Sequence, residues 1–153
     1  MLAQSIRFVR LAYVLIGIYA ISRFILGLAG VPYAPRGNAM FSVVGATVIS
    51  SFYFGALSQR AGFNWLGTAL TGASIGVYAQ LWVLVLTLVS YVGSFETSYF
   101  RHWDALNVPP DQAVTLAKAT GLRVSGLIVN TIIATVVAMV GRVLGGRLAP
   151  KAS

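Results

Sequence analysis

Residues Ala61 to Phe95 read AGFNWLGTALTGASIGVYAQLWVLVLTLVSYVGSF, thirty-five in a row without a formal charge between Arg60 and Glu96. About 20 mostly apolar residues already cross a bilayer as a helix, so this run crosses with length to spare. A chain of 153 residues has too little protein to cover such a segment in a soluble core. The stretch decides the class: an all-α integral membrane protein. Within it Gly72 and Gly76 stand four apart, Gln80 lies near the middle, and Leu81 to Val89 forms an apolar block.

The flanking sequence has the same character. Leu11 to Ala29 is broken only by Arg23, which places span 1 at about residues 9–30. A basic start with Arg7 and Arg10 before an apolar run also describes a signal peptide. The run is long for that, carries an arginine and lacks a small-x-small cleavage site, so it reads as a retained span. Gly30, Pro32, Pro35 and Gly37 make a turn. Span 2 follows at about 40–58, ending on Phe52-Tyr53-Phe54 as interfacial segments tend to. The short loop Ser58 to Gly62 joins it to span 3, at about 64–92, as an antiparallel hairpin.

Past span 3, Tyr91, Phe95, Tyr99 and Trp103 recur every four residues and share one face if the helix continues. Asn107-Val108-Pro109-Pro110 stops a helix. Pro110-Asp111-Gln112 opens another, with proline in the first turn and an acid near the positive end of the dipole. A short amphipathic helix on the membrane surface, capped at Gly121, is expected inside an outer loop of residues 93–121. Span 4 then covers about 122–144. The expected fold is one membrane domain over residues 1–153. It is a four-transmembrane-helix antiparallel bundle with a short amphipathic interfacial helix between spans 3 and 4.

Composition agrees and excludes several functions. The chain is 58% hydrophobic and 9% charged, against about 25% charged in soluble proteins. With no cysteine there is no disulfide, thiolate metal site or thiol nucleophile. One histidine, His102, gives no multi-histidine metal or haem site within one chain. The net charge of +8 is scattered over span ends, where it meets headgroups, and is not a nucleic-acid signature.

With four spans, the termini and the 2–3 loop share a side holding Arg7, Arg10, Arg60, Arg142, Arg147 and Lys151, with no acid. The other side holds Arg23, Arg36, Arg101, Lys118 and Arg123 with all three acids, Glu96, Asp104 and Asp111. The positive-inside rule puts both termini in the cytoplasm and the 3–4 loop outside. The expected location is a bacterial inner (plasma) membrane.

Candidate residues fall into three groups. Gly72 with Gly76, and Gly141 with Gly145, form small-x-x-x-small faces for close helix packing, within the bundle or with a neighbour. Arg23, Gln80, Asn130 and Thr131 are polar groups at membrane depth. For Arg23 the alternatives are snorkelling to the outer headgroups, pairing with Glu96, or holding a ligand, lipid or partner. For the others they are interhelical hydrogen bonds or a narrow polar path. Tyr91, Phe95, Glu96, Tyr99, Arg101, His102, Trp103 and Asp104 form an aromatic, charged outer face suited to docking. No catalytic motif accompanies them. No catalytic residue, metal site or cofactor is expected.

The function expected on these grounds is a small accessory or scaffold subunit of a larger membrane complex. Its partners would be membrane lipids and other subunits or copies of itself, and not nucleic acid. A homo-oligomeric transporter or channel is the alternative. A membrane enzyme on lipid-like substrates is the second.

Overall fold

A computed structural model describes residues 1–148 of the protein. Its regular structure is all helical, with no strand among the described residues. The helices are α1 (Leu2–Phe8), α2 (Arg10–Leu28), α3 (Val43–Ser58), α4 (Trp65–Val92) and α5 (Leu116–Leu148). Three of them, α2, α4 and α5, are long and apolar enough to cross a membrane. Helix α3 has 16 residues and is about 24 Å long, shorter than a hydrocarbon core of about 30 Å.

Local chemistry sets the helix ends. Ser42 Oγ accepts from the Gly45 amide at 3.1 Å and starts α3. Asn64 Oδ1 accepts from the Gly67 amide at 2.8 Å and starts α4. Both are N-cap side chains meeting an amide that has no helical partner. Helix α4 ends at Val92 with Gly93 as its C-cap, and Ser94 follows in the left-handed region with φ 55°. The chain then folds back as a loop over residues 93–115, with one short helical turn at Asp104–Leu106. This loop, called the cap below, lies at the end of the bundle away from the N-terminus, whose Ser5 hydroxyl donates to Gly67 O at the start of α4.

Helix α4 is central and touches all four others, while α5 packs along both α3 and α4. Small residues make this contact. A Cβ on Gly72 would stand 2.6 Å from Ala134 O, and one on Gly76 2.8 Å from the Thr131 Cα. Gly55, Gly141 and Gly145 bring α3 equally close to α5 at Ala138, Phe52 and Ala56. Backbones approach this closely only without side chains between them, and such packing drives association inside a bilayer. All four expected packing glycines therefore face inward, within one chain. The hydroxyls buried in α3 and α4 mostly bond their own helix: Thr47, Thr71 and Thr87 donate to the carbonyl four residues back at 2.7–2.8 Å. Ser51 Oγ and Thr131 Oγ1 are buried without a partner among the described residues.

The expected boundaries change in three places. The surface helix does not form, and Gly121 caps nothing. Helix α5 starts at Leu116 and runs through Gly121 as one element, in place of a span at 122–144. The side chain at the start of α5 is Thr115, whose Oγ1 accepts from the Lys118 amide at 3.3 Å. Pro109 to Gln112 makes a turn closed by the Gln112 amide on Pro109 O. The aromatic residues 91, 95, 99 and 103 do not share a helix face, because α4 stops at Val92 and only Tyr91 belongs to it. Met40 and Phe41 precede α3, with Phe41 at φ 50°. Lys151, counted among the basic residues near the C-terminus, lies outside the described residues.

Candidate functional site

Arginine side chains hold both ends of the bundle together. On α2, Arg23 Nη1 donates to three backbone oxygens of the following turn: Gly37 at 3.0 Å, Asn38 at 3.2 Å and Met40 at 3.0 Å. Its Nη2 reaches the Tyr33 hydroxyl at 3.4 Å. The guanidinium lies 5.4 and 5.5 Å from the Tyr33 and Tyr99 ring centroids, within cation–π range. Arg23 therefore neither stretches away from the protein nor pairs with Glu96; it gathers the α2–α3 turn around itself. Glu96 pairs instead with Arg101 at 2.9 Å.

Two further arginines, which by sequence are charges near the ends of span 4, act the same way. On α5, Arg123 Nε donates to Thr87 Oγ1 on α4 at 2.9 Å, Nη1 to Ala105 O at 2.8 Å and Nη2 to Phe100 O at 3.1 Å. It ties the cap to both long helices. Near the other end, Arg142 Nη1 donates to Phe63 O at 2.6 Å and Thr68 Oγ1 at 2.9 Å. Its guanidinium lies 5.0 Å from the Trp65 ring. The available signal was position: both arginines flank the apolar stretch of α5 between them, where a cation needs acceptors.

The cap turns Tyr91, Tyr99, Arg101 and His102 into the fold and leaves Phe95, Glu96, Trp103 and Asp104 exposed. Tyr99 is buried and donates to Val31 O at 2.7 Å. Tyr91 donates to Val114 O at 3.0 Å, with Arg101 over its ring at 4.5 Å. Phe95 packs edge-on to Phe24. His102 stacks on Tyr33 with centroids 3.8 Å apart, and its Nδ1 accepts the Asp104 amide at 3.3 Å. Burial lowers the His102 pKa below 6.5, nearby Asp104 opposes that, and Arg23 adds to it. Burial raises the Tyr33 and Tyr99 hydroxyls, against the pull of Arg23. Trp103, beside His102, remains exposed.

Beneath the cap lies a cavity of about 550 Å³. Arg23, Tyr33, Tyr99 and Asp104 line it from the α2 and cap sides, Ser42 to Val44 from the start of α3, Gln80 and Val83 from α4, and Arg123, Ser125, Gly126 and Asn130 from α5. It opens where the close α4–α5 contact ends. A Cβ on Gly76 would strike the α5 backbone, but one on Gly126 would meet only Asn130 Nδ2 at 3.7 Å and Gln80 Oε1 at 3.8 Å. Gln80 is 4% exposed, and its amide makes no hydrogen bond among the described residues. Asn130 donates to Gly126 O at 2.9 Å and keeps its carbonyl oxygen available. Of the residues expected at membrane depth, Arg23, Gln80 and Asn130 thus meet at one cavity; Thr131 lies beside it in the α4–α5 contact.

The charges lining the cavity are two guanidiniums and the Asp104 carboxylate, a net of +1. Neither arginine lies in an ion pair among the described residues. Arg123 uses three of its five N–H groups and retains two. The first two amides of α3, at Val43 and Val44, also point to this end and lack helical partners, adding partial positive charge. Chemically, the site presents N–H donors and net positive charge, a lining complementary to a polar, electron-rich group. Comparison with protein-family models, curated proteins and solved structures found no match.

Proposed function

We propose that the protein is a membrane-embedded binding protein that holds a polar-headed ligand in the cavity beneath its cap. One observation carries this reading. Gln80, a residue only 4% exposed whose amide makes no hydrogen bond among the described residues, borders a cavity that also holds two guanidiniums without carboxylate partners among those residues. The Gln80 amide faces the cavity, and an occupant there would supply hydrogen bonds that the protein itself does not.

In this reading all four long helices cross the bilayer in antiparallel order, with α3 completed by its polar flanks. The basic residues Arg7, Arg10, Arg60, Arg142 and Arg147 favour a cytoplasmic location for the termini, and the acids Glu96, Asp104 and Asp111 an outward cap. The cavity then opens at the level of the outer leaflet. A binding role is favoured over a channel because the α4 hydroxyls bond their own helix rather than forming a polar stripe.

The test is purification in mild detergent followed by native mass spectrometry, comparing the protein with Gly126→Leu, which fills the cavity. A retained small-molecule adduct that the substitution removes is expected. Identical adducts in both proteins would overturn the reading.

A second reading, an accessory subunit of a larger membrane complex, is favoured by Val92, 78% exposed, and exposed Trp103 and Phe95 on the cap. Stoichiometric unrelated subunits in the same spectra would support it.

A further inference from the structure

The chemistry of the cavity narrows the occupant, on the assumption that the cavity binds a ligand as proposed above. We infer that the occupant is an anionic phospholipid: a singly charged phosphodiester head carrying free hydroxyls, with its acyl chains leaving sideways between α3 and α5.

Three observations converge on this. The first is electrostatic. The lining charges sum to +1, the α3 amino terminus adds to them, and Arg123 has two uncommitted N–H groups. One negative charge balances the site, and phosphate oxygens suit guanidinium donors. The second is the floor. The Gln80 amide offers two donors and an acceptor, and Asn130 offers an acceptor, which suits hydroxyl groups rather than a bulky quaternary amine. The third is the exit. The cavity wall between α3 and α5 is made by Val44 and Val129, which are 51% and 54% exposed. They continue into the apolar outer surface of α5 at Ile128, Ile132 and Ile133. An acyl chain leaving there lies against isoleucine and valine instead of crossing the packed core. A volume of about 550 Å³ is within the usual range for a small-molecule site, roughly 300–1,000 Å³. That is ample for a glycerol-phosphate head.

The same head chemistry could arrive from water as a free phosphodiester, so the experiment separates the sources. The full chain is equilibrated in mixed micelles with phosphatidylglycerol or phosphatidylcholine of identical acyl chains, and retained lipid is counted by native mass spectrometry. A third arm adds dimethyl phosphate as a soluble competitor. Phosphatidylglycerol should be retained about tenfold more than phosphatidylcholine, the ratio that one charge-assisted contact supports. Dimethyl phosphate should compete only at far higher concentration. Ser125→Asp adds a carboxylate to an exposed lining position and brings the lining charge to zero; it should abolish the preference while leaving the fold intact.

Equal retention of the two lipids, with both lost in Gly126→Leu, would overturn the anionic assignment and leave the cavity reading standing. Retention unaffected by Gly126→Leu would overturn the cavity reading itself. Displacement by dimethyl phosphate at lipid-like concentration would assign the site to a water-borne anion and overturn the lipid. An unchanged preference in Ser125→Asp would remove the electrostatic argument.

Discussion

The contact between α4 and α5 predicts how a one-methyl change should depend on position. At Gly72 an added Cβ stands 2.6 Å from Ala134 O and 2.8 Å from the Thr135 Cα; at Gly76 it stands 2.8 Å from the Thr131 Cα and 3.0 Å from the Ala134 Cβ. Mostly these are backbone atoms of the facing helix and cannot rotate aside, so α5 must move. Overpacking of this kind costs about 1–3 kcal/mol per site, while replacing a helical glycine by alanine returns at most about 1 kcal/mol. The two sites are one turn apart and push α5 the same way, so their costs will not add fully. Gly72→Ala with Gly76→Ala should therefore destabilise the bundle by about 1–4 kcal/mol net. Gly121→Ala with Gly126→Ala on α5 is the control. Nothing lies within 4 Å of a Cβ at Gly121, and Gly126 meets only side-chain atoms at 3.7 and 3.8 Å. That pair should be neutral or slightly stabilising. Reversible unfolding by titration with sodium dodecyl sulfate in mixed micelles measures both. If the first pair unfolds at the same midpoint as the control, glycine-mediated contact is not what holds α4 to α5.

Arg142→Met should leave Phe63 O without its 2.6 Å donor and cost about 1–3 kcal/mol, freeing the 59–64 turn; amide exchange there should quicken by about tenfold, and unchanged exchange would refute the clamp. His102 has a folded pKa below its unfolded value, so the unfolded chain binds the extra proton first. Its contribution to cap stability is complete above about pH 6.5 and is lost as pH falls through the lower folded value. A titration of this single histidine by NMR with a midpoint at or above 6.5 would contradict its burial against Tyr33. Glu96→Gln breaks the ion pair to Arg101, but the acid side chain is 76% exposed, so stability should change by less than about 1 kcal/mol; a larger loss in the same detergent titration would mean the pair organises the cap.

The class of fold was legible because a thirty-five-residue uncharged run admits one explanation, and glycines four apart could be marked as contact points before their partners were known. Which partners they meet was not legible, since a small-x-x-x-small face suits a neighbouring chain as well as the helix beside it. The surface helix failed for a physical reason. Proline and aspartate at 110–111 are good helix openers, but Arg123, two turns into α5, is bonded to Ala105 O and Phe100 O. Those bonds bring the cap over the start of α5, and Tyr91 binds Val114 O just before the helix begins at Leu116. The chain from 107 to 115 has no length left for a separate helix. The same logic relocates Arg23. Sequence position suggested a long side chain reaching for headgroups or for Glu96, yet the turn after α2 offered three carbonyl oxygens much closer. In a chain with eleven basic and three acidic residues, most cations near the membrane cannot find a carboxylate. Backbone oxygens of the turns are the remaining acceptors, and binding them closes the loops. Two of these arginines still border one cavity with N–H groups to spare, beside an amide without a partner. The shortage of acids that makes the loops fold around arginine thus also leaves a site suited to a negative charge from outside the chain.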